Sequence, residues 1–411
     1  MLYNKERANE YLEQYDIEAL VATTTFNVAY FTDFDCWQYR DFRENMGTPG
    51  ASNSLMQAYA VVVPDKAPVL IASTGSAQFA NELSGVELRT YGGHGEKLPA
   101  RKAGEDRVFT VQREAIASAK PTPQEALVGA LEELGVKKGR VGIEFSNLSK
   151  ASRKYVEKNM KKVDWLDATE FVRLIRMVKT PEEVSRMKKA AEITEKGLWK
   201  SFETAGAGVT AGALYQAYLS EVARHGAVPD HYIYTPKGLG ISSSPSYKFS
   251  DAEFQMIDCG VTYKQYYSDT GWTMVIKGNR DAEKMHHTLW EIFQSHIDLL
   301  SPGTRPSEVL KAFGKSYKKA GIEGVGYQGH ALGLQTREHP VINFTKHKKI
   351  ADDIVDVGVD IPFEEGMVIN IETPKDVRGK GAYQVEMTFQ VGKKKPVGLN
   401  PKREGVAYVT G

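Results

Sequence analysis

The spacing of apolar positions changes character part-way along the chain. Residues 6 to 15 read as a polar helix. Glu18 to Thr23 and Ala58 to Pro64 are apolar runs of strand length, separated by a long loop that holds Trp37, Tyr39, Arg40 and Arg43. Strand and helix patterns alternate to about residue 170, which predicts an α/β domain around a mainly parallel or mixed sheet. A helix start then stands out at Thr180-Pro181-Glu182-Glu183: a Thr cap, Pro at the first helical position and Glu three residues after the cap. Val184, Met187, Ala191 and Leu198 follow at helical spacing. This places a domain boundary near residue 172, giving domains 1–172 and 173–411. The second opens with helices over about 181–203 and 211–225, then short strands with helices around 281–300 and 305–320. Helices on one face of an antiparallel sheet, an α+β arrangement, are expected there.

Composition narrows the function. A chain of 411 residues that is 41% hydrophobic can fill two packed cores. Its 53 basic and 52 acidic residues nearly cancel, so overall charge favours neither nucleic acid nor an anionic membrane. Small molecules and short peptides are the expected ligands. The two cysteines, Cys36 and Cys259, form no close cluster, which fits a reducing cytoplasm. The opening Met-Leu-Tyr-Asn-Lys-Glu-Arg run passes into a charged stretch, and no apolar run reaches the roughly 18 residues of a membrane span. Secretion is not expected. No repeat, low-complexity stretch or glycine-rich phosphate loop is present.

Candidate chemistry lies in the second half. From Glu253 to Thr273 the chain reads as two strands joined by a tight turn. A turn centred on Tyr263-Lys264 sets Asp258 directly opposite Asp269, with Cβ atoms about 4.5 to 5.5 Å apart on one face. Two like charges there repel, and a bridging divalent metal would turn the repulsion into coordination; an exposed hairpin with two solvated aspartates is the plain alternative. Glu372 and Glu386 each interrupt an apolar or aromatic strand, where an unpaired carboxylate is costly to bury. His330 sits among Gly329 and Gly333, which permit close backbone approach; alone, it would more often be a satisfied core histidine.

The order Asp258, Asp269, His330, Glu372, Glu386, in the contexts Asp258-Cys-Gly, Tyr267-Ser-Asp269, Gly329-His330 through Gly333 to Glu338-x-Pro340, Ile371-Glu372-x-Pro374 and the lone Glu386, resembles the pita-bread metalloenzymes. That family includes aminopeptidase P, prolidase, methionine aminopeptidase and creatinase. Asn27-Val-Ala-Tyr-Phe-Thr-Asp33 is similar to the creatinase-type N-terminal domain, and Arg176-x-x-Lys179-Thr-Pro-x-Glu183 resembles the usual junction. The resemblance implies an α/β creatinase-like N-terminal domain before an α+β pita-bread catalytic domain. It also implies two divalent ions, Mn²⁺, Co²⁺, Fe²⁺ or Zn²⁺, that share an attacking water. Asp269 and Glu386 would bridge the ions, Asp258 would complete one, and His330 and Glu372 the other. Glu372 would also accept the proton of that water.

Three departures qualify the resemblance. Peptidase members carry a histidine about 17 residues before the first metal aspartate, where this chain has Ile241 or Ser242. His231, ten residues earlier, serves only if a loop returns it. The histidine usually found before Glu338-x-Pro340 is Arg337, a permanent cation with a planar donor fork. The family's Asp-x-Thr-Arg-Thr becomes Asp269-Thr-Gly271-Trp272-Thr, and the arginine two residues before the last glutamate becomes Gln384.

Three functions follow: a metal-dependent hydrolase of a small amide, such as an Xaa-Pro dipeptide; a metal-assisted lyase like the dimethylsulfoniopropionate lyases of this fold; and a non-catalytic binding protein. The first is favoured: the usual Asp-x-Gly around Asp258 argues against close kinship with the lyases, and a binding module has no reason to keep five ligands. His231, Arg337 and Glu372 are the candidate catalytic residues, and Arg337, Trp37 and Arg40 the candidate substrate contacts. A homodimer is expected, with the Trp37 to Arg43 loop reaching the neighbour's site.

Overall fold

The computed structural model describes the chain except residues 1, 36–38, 40–56, 94–97, 101–103, 325–326 and 344–347. Trp37, Arg40 and Arg43 therefore lie outside the described residues. The chain forms two compact units: Met1–Arg176 with Ile350–Val357, and Met177–Lys349 with Gly358–Gly411. Residue 172 falls inside the helix Thr169–Arg176, which belongs to the first unit.

The first unit is built on a six-stranded mixed sheet. Its strands are β1 (Ala19–Ala22), β2 (Tyr59–Val62), β3 (Val69–Ser73), β4 (Glu87–Tyr91), β5 (Gly139–Ile143) and β6 (Val163–Asp167), in the order β4-β3-β2-β1-β5-β6. The strands β1 to β3 pair antiparallel, and the outer pairs are parallel. Part of the expected loop after β1 is instead a helix, Thr25–Thr32, stopped by the left-handed Asp33. Asn27 through Thr32 are all buried, so the helix lacks the apolar stripe that would have announced it. Its Asn27 is a hub of the unit. Buried Glu144 accepts from the backbone N–H groups of Thr23 and Thr24 and from Asn27 Nδ2, and Asn27 Oδ1 accepts from buried Arg176. Such a network is stable only when each buried charge is paired and hydrogen-bonded. The Asn27 to Asp33 motif thus has a structural role in this unit.

The second unit carries an antiparallel sheet along the path β11-β10-β12-β13-β9-β8-β7. These strands are β7 (Val228–Tyr234), β8 (Phe254–Tyr263), β9 (Thr270–Val275), β10 (Tyr327–Ala331), β11 (Glu338–Asn343), β12 (Val368–Glu372) and β13 (Val385–Gln390). The helices Pro181–Glu203, Ala211–Arg224, Arg280–His296 and Pro306–Lys319 pack on it. The capping box forms as expected: Thr180 Oγ1 accepts from Glu183 N–H while Glu183 Oε2 accepts from Thr180 N–H at 2.8 Å. Leu198, Phe202, Trp272 and Phe293 are fully buried in this unit. Each contributes roughly 1.5–3 kcal/mol by leaving water.

The hairpin between β8 and β9 corrects one expectation. Its turn lies at Lys264 and Gln265, whose φ values are 46° and 68°, one residue beyond the expected centre. Paired left-handed residues suit a tight hairpin turn because they match the strand twist. Asp258 is consequently opposite Gly271 rather than Asp269. Asp269 stands two residues before Gly271 and so shares its face, as a diagonal neighbour of Asp258.

Candidate metal centre

The sheet register assembles the site. Asp258 on β8 pairs with Gly271 on β9, Gly271 with Glu386 on β13, and Glu386 with Glu372 on β12. These four positions form one row across four strands. His330 arrives from β10, paired with Asn370 of β12. Its approach depends on Gly329, held at φ 141°, where a Cβ would stand 1.9 Å from the Asn370 carbonyl oxygen. The glycine beside this histidine is a steric requirement.

All five candidate metal ligands converge here, and His231, a candidate from the sequence only if a loop returned it, joins them. His231 Nε2 lies 3.0 Å from Asp258 Oδ1 and 3.3 Å from Asp269 Oδ1, while its Nδ1 contacts Asp230 Oδ2 at 2.8 Å. No long loop is needed to return it. The strand β7 lies beside β8, and a bulge between Pro229 and His231 aligns the histidine with Gly260. A Cβ on Gly260 would stand 2.7 Å from the His231 ring, so this glycine clears its path. Ile241 is exposed, and Ser242 pairs with Tyr234. Spacing along the chain puts His231 ten residues too early because it counts along the chain, while the sheet brings the neighbouring strand alongside.

Other contacts fix the remaining groups. His330 Nδ1 lies 3.0 Å from the Ala331 carbonyl, turning Nε2 toward Asp269 Oδ2 at 3.4 Å. Asn370 Nδ2 donates to Glu386 Oε1 at 3.0 Å. Gln384 Nε2 donates to Glu372 Oε2 at 3.2 Å and to Glu386 Oε2 at 3.1 Å. Neither amide was foreseen as part of the site, although Gln384 was marked as a departure. Arg337 is exposed in the turn before β11. The next residue, Glu338, is buried and forms an ion pair with buried Lys179 at 2.8 Å.

Electrostatics show what this arrangement lacks. Burial pushes Glu372 up to about 8, with the charge of Asp258 adding and that of His330 opposing. Burial, then Asp258, Asp269 and Glu372, hold Glu386 well above the carboxylate range. Asp258 is raised by burial and by Asp269. For Asp269 burial also raises the pKa, but its close contacts with the His231 and His330 rings outweigh it and the net shift is downward. His231 is held well above its ordinary value: burial opposes the charge, and contacts to Asp230, Asp258 and Asp269 overcome it. Each ring nitrogen of His231 faces a carboxylate, an arrangement that favours a proton or a cation at each contact. A cation between Nε2 and the aspartates would do the work of the proton there.

The donors fit a metal. Asp269 Oδ1 is buried without a hydrogen-bond partner, its 3.3 Å contact with His231 being too poorly aligned for one. The donor atoms of His231, Asp258 and Asp269 lie within 4.8 Å of one another, as do those of Asp269, His330 and Glu386. Asp269 belongs to both trios, the position a bridging ligand requires. Oxygen donors with two imidazoles suit divalent first-row ions.

Comparison with known proteins agrees with this chemistry. Residues 185–393 match metallopeptidase family M24, and residues 5–178 match the creatinase/prolidase N-terminal domain. The chain belongs to metallopeptidase family M24. Within this M24 family it falls in the creatinase/prolidase branch and is a metallohydrolase in kind. It is 23% identical to the creatinase of a Bacillus species over 93% of this chain and 86% of that one. It is 25% identical to an uncharacterized peptidase of Methanocaldococcus jannaschii over 62% of this chain and 71% of that one. Among solved structures, the X-Pro aminopeptidase of Thermotoga maritima aligns with a TM-score of 0.72 at 16% identity, over 99% of both chains. The prolidase of Pyrococcus furiosus aligns with a TM-score of 0.65 at 18% identity, over 96% of this chain and 100% of that one. These two likenesses show the shared two-domain fold. Among the described residues no helix is long and apolar enough to cross a membrane.

Proposed function

We propose that this M24 member hydrolyses a small amide, of the Xaa-Pro dipeptide or N-acyl kind, at a dinuclear centre. The observation that carries the reading is the buried row of carboxylates flanked by two histidines. Asp269 and Glu386 would bridge two divalent ions, Asp258 and His231 would serve one, and His330 and Glu372 the other. The ions, when bound, supply Lewis acidity to the scissile carbonyl and to the attacking water.

The protein's own groups supply the proton traffic. Glu372, held to the Gln384 amide and already high in pKa, can take a proton from the attacking water and return it to the leaving amine. His231, oriented by Asp230, can either ligate or hold a proton at Nε2, beside Asp258 and Asp269. Arg337 would receive an anionic group of the substrate in its two-pronged fork. The hydroxyl of its neighbour Thr336 donates to Asp230, the residue that contacts His231, which supports that role. Trp37 and Arg40 would complete the substrate contacts from a second copy of the chain.

The test is product analysis in ¹⁸O-labelled water, with the Mn²⁺-loaded protein and a panel of Xaa-Pro dipeptides and N-acyl amides. Hydrolysis places one labelled oxygen in the released carboxylate. Turnover without label incorporation would indicate elimination and set the hydrolase reading aside, as would no turnover of any amide.

A further inference from the structure

The row Asp258, Gly271, Glu386, Glu372 has one position without a side chain. A Cβ at Gly271 would stand 2.3 Å from Gln384 Cγ and 2.6 Å from Glu386 Oε2. The space belongs to Gln384. Thr273 pins the backbone of that residue, its hydroxyl donating to the Gln384 carbonyl at 3.1 Å and accepting from the Gln384 N–H at 3.0 Å. From this anchored position Nε2 reaches Glu372 and Glu386 together. An amide nitrogen has two protons, and here each has a carboxylate. The flipped amide would aim an oxygen at both carboxylates, so its neighbours set its orientation.

Two further observations separate this residue from ordinary core packing. Gln384 is 1% exposed, yet its Oε1 has no hydrogen-bond partner. An unpaired buried acceptor works against stability, so the amide is a poor choice for the fold alone. Glu386 is also held from its other oxygen by Asn370, another neutral amide. Neither amide carries a charge, so both hold the carboxylates without changing the net charge of the row.

We propose that Gln384 is a positioning residue for a divalent-cation centre. Seated in the room left by Gly271, its neutral amide fixes the mutual orientation of Glu372 and Glu386 and leaves their negative charge to the ions. The proposal rests on reading these carboxylates as a metal centre.

The experiment is calorimetric titration of Mn²⁺ into metal-free wild type, Gln384→Met and Gln384→Asn, each also melted without metal. Met keeps the length and loses the donors; Asn keeps the amide and loses the reach. Both variants are expected to bind Mn²⁺ roughly 10- to 100-fold more weakly. Metal-free Gln384→Met loses the unpaired oxygen together with two donated hydrogen bonds and should still melt cooperatively, so that its weaker Mn²⁺ binding is read on a folded chain. Wild-type affinity in either variant that melts cooperatively would make Gln384 a packing residue and overturn the proposal. A wild-type chain that takes up no Mn²⁺ would remove the centre itself, a failure of the underlying reading that is distinguishable from the first.

Discussion

Glu372 and Glu386 stand directly opposite each other on neighbouring antiparallel strands, both buried. Directly opposed like charges destabilise a strand pair. The side chains that donate to these glutamates, Gln384 and Asn370, are neutral amides, so the missing compensation must come from protons or from metal.

Metal uptake follows. About two divalent ions per chain are expected after reconstitution, because four clustered carboxylates cannot stay ionised and buried without cations. Asp269→Asn and Glu386→Gln each remove a carboxylate proposed to bridge the ions and should lower the count, measured by elemental analysis. Saturating metal should also raise the melting temperature. At a free concentration one hundred times Kd the gain is about 2.7 kcal/mol. Wild-type metal content in both variants would sink the assignment.

His231 can be assigned by comparing two measurements on one variant. If it carries protons, His231→Gln should lower kcat by roughly 10²- to 10⁴-fold with metal content intact. If it ligates, the metal count itself should fall. An active enzyme with full metal would leave the histidine no part in either role, despite its 3.0 Å contact with Asp258.

What the sequence revealed and what it hid divide along a physical line. Glu372 and Glu386 are visible as polar interruptions in apolar strands, His330 through its flanking glycines, and the helix Pro181–Glu203 through its cap. Local pattern suffices for such features. The hairpin register turned on the left-handed Lys264-Gln265 pair, residue types that do not advertise positive φ. His231 reaches the site through a bulge and a neighbouring strand, neither of which spacing along the chain encodes. The segment Ile350–Val357 joins the first unit from deep within the second half, a contact of long sequence separation that no local pattern marks.

Arg337 is the departure expected to select the substrate. Arg337→Lys keeps the charge and loses the planar fork. The KM for an amide with an anionic group near the scissile bond should rise by roughly tenfold or more, the scale of one charged hydrogen bond, with metal content unchanged. A drop in melting temperature or metal occupancy with KM unmoved would make the residue structural.

The Trp37 to Arg43 segment is expected to complete the site of a second copy. Aromatic and arginine side chains are the usual anchors of such contacts. Light scattering should show a dimer, and Trp37→Ala should weaken it or raise KM. A monomer whose activity ignores the substitution would exclude this arrangement.

Glu183 gives the second unit a built-in dependence on pH that is separate from the metal centre. Its carboxylate is 1% exposed at the start of the helix Pro181–Glu203, accepting from Thr180 N–H at 2.8 Å and from the Tyr266 hydroxyl at 3.1 Å. Burial is the largest influence and pushes it up from 4.5 to about 7; the Thr180 N–H and Lys179 pull the other way, and Glu338 adds to the rise. The folded state therefore holds this proton more tightly than the unfolded state does. Its stabilising contribution is fully present below pH 4.5 and is lost as pH rises through about 7. Glu183→Gln keeps an acceptor for the Thr180 N–H and removes the titration. Melting temperatures of the two proteins, taken from pH 4 to pH 9 in matched buffers, should diverge over that window, with wild type falling relative to the variant as pH rises. Taking the difference cancels the titrations the two proteins share. Parallel curves would mean that Glu183 ionises alike in the folded and unfolded chains, and the capping carboxylate would then have no part in the pH response.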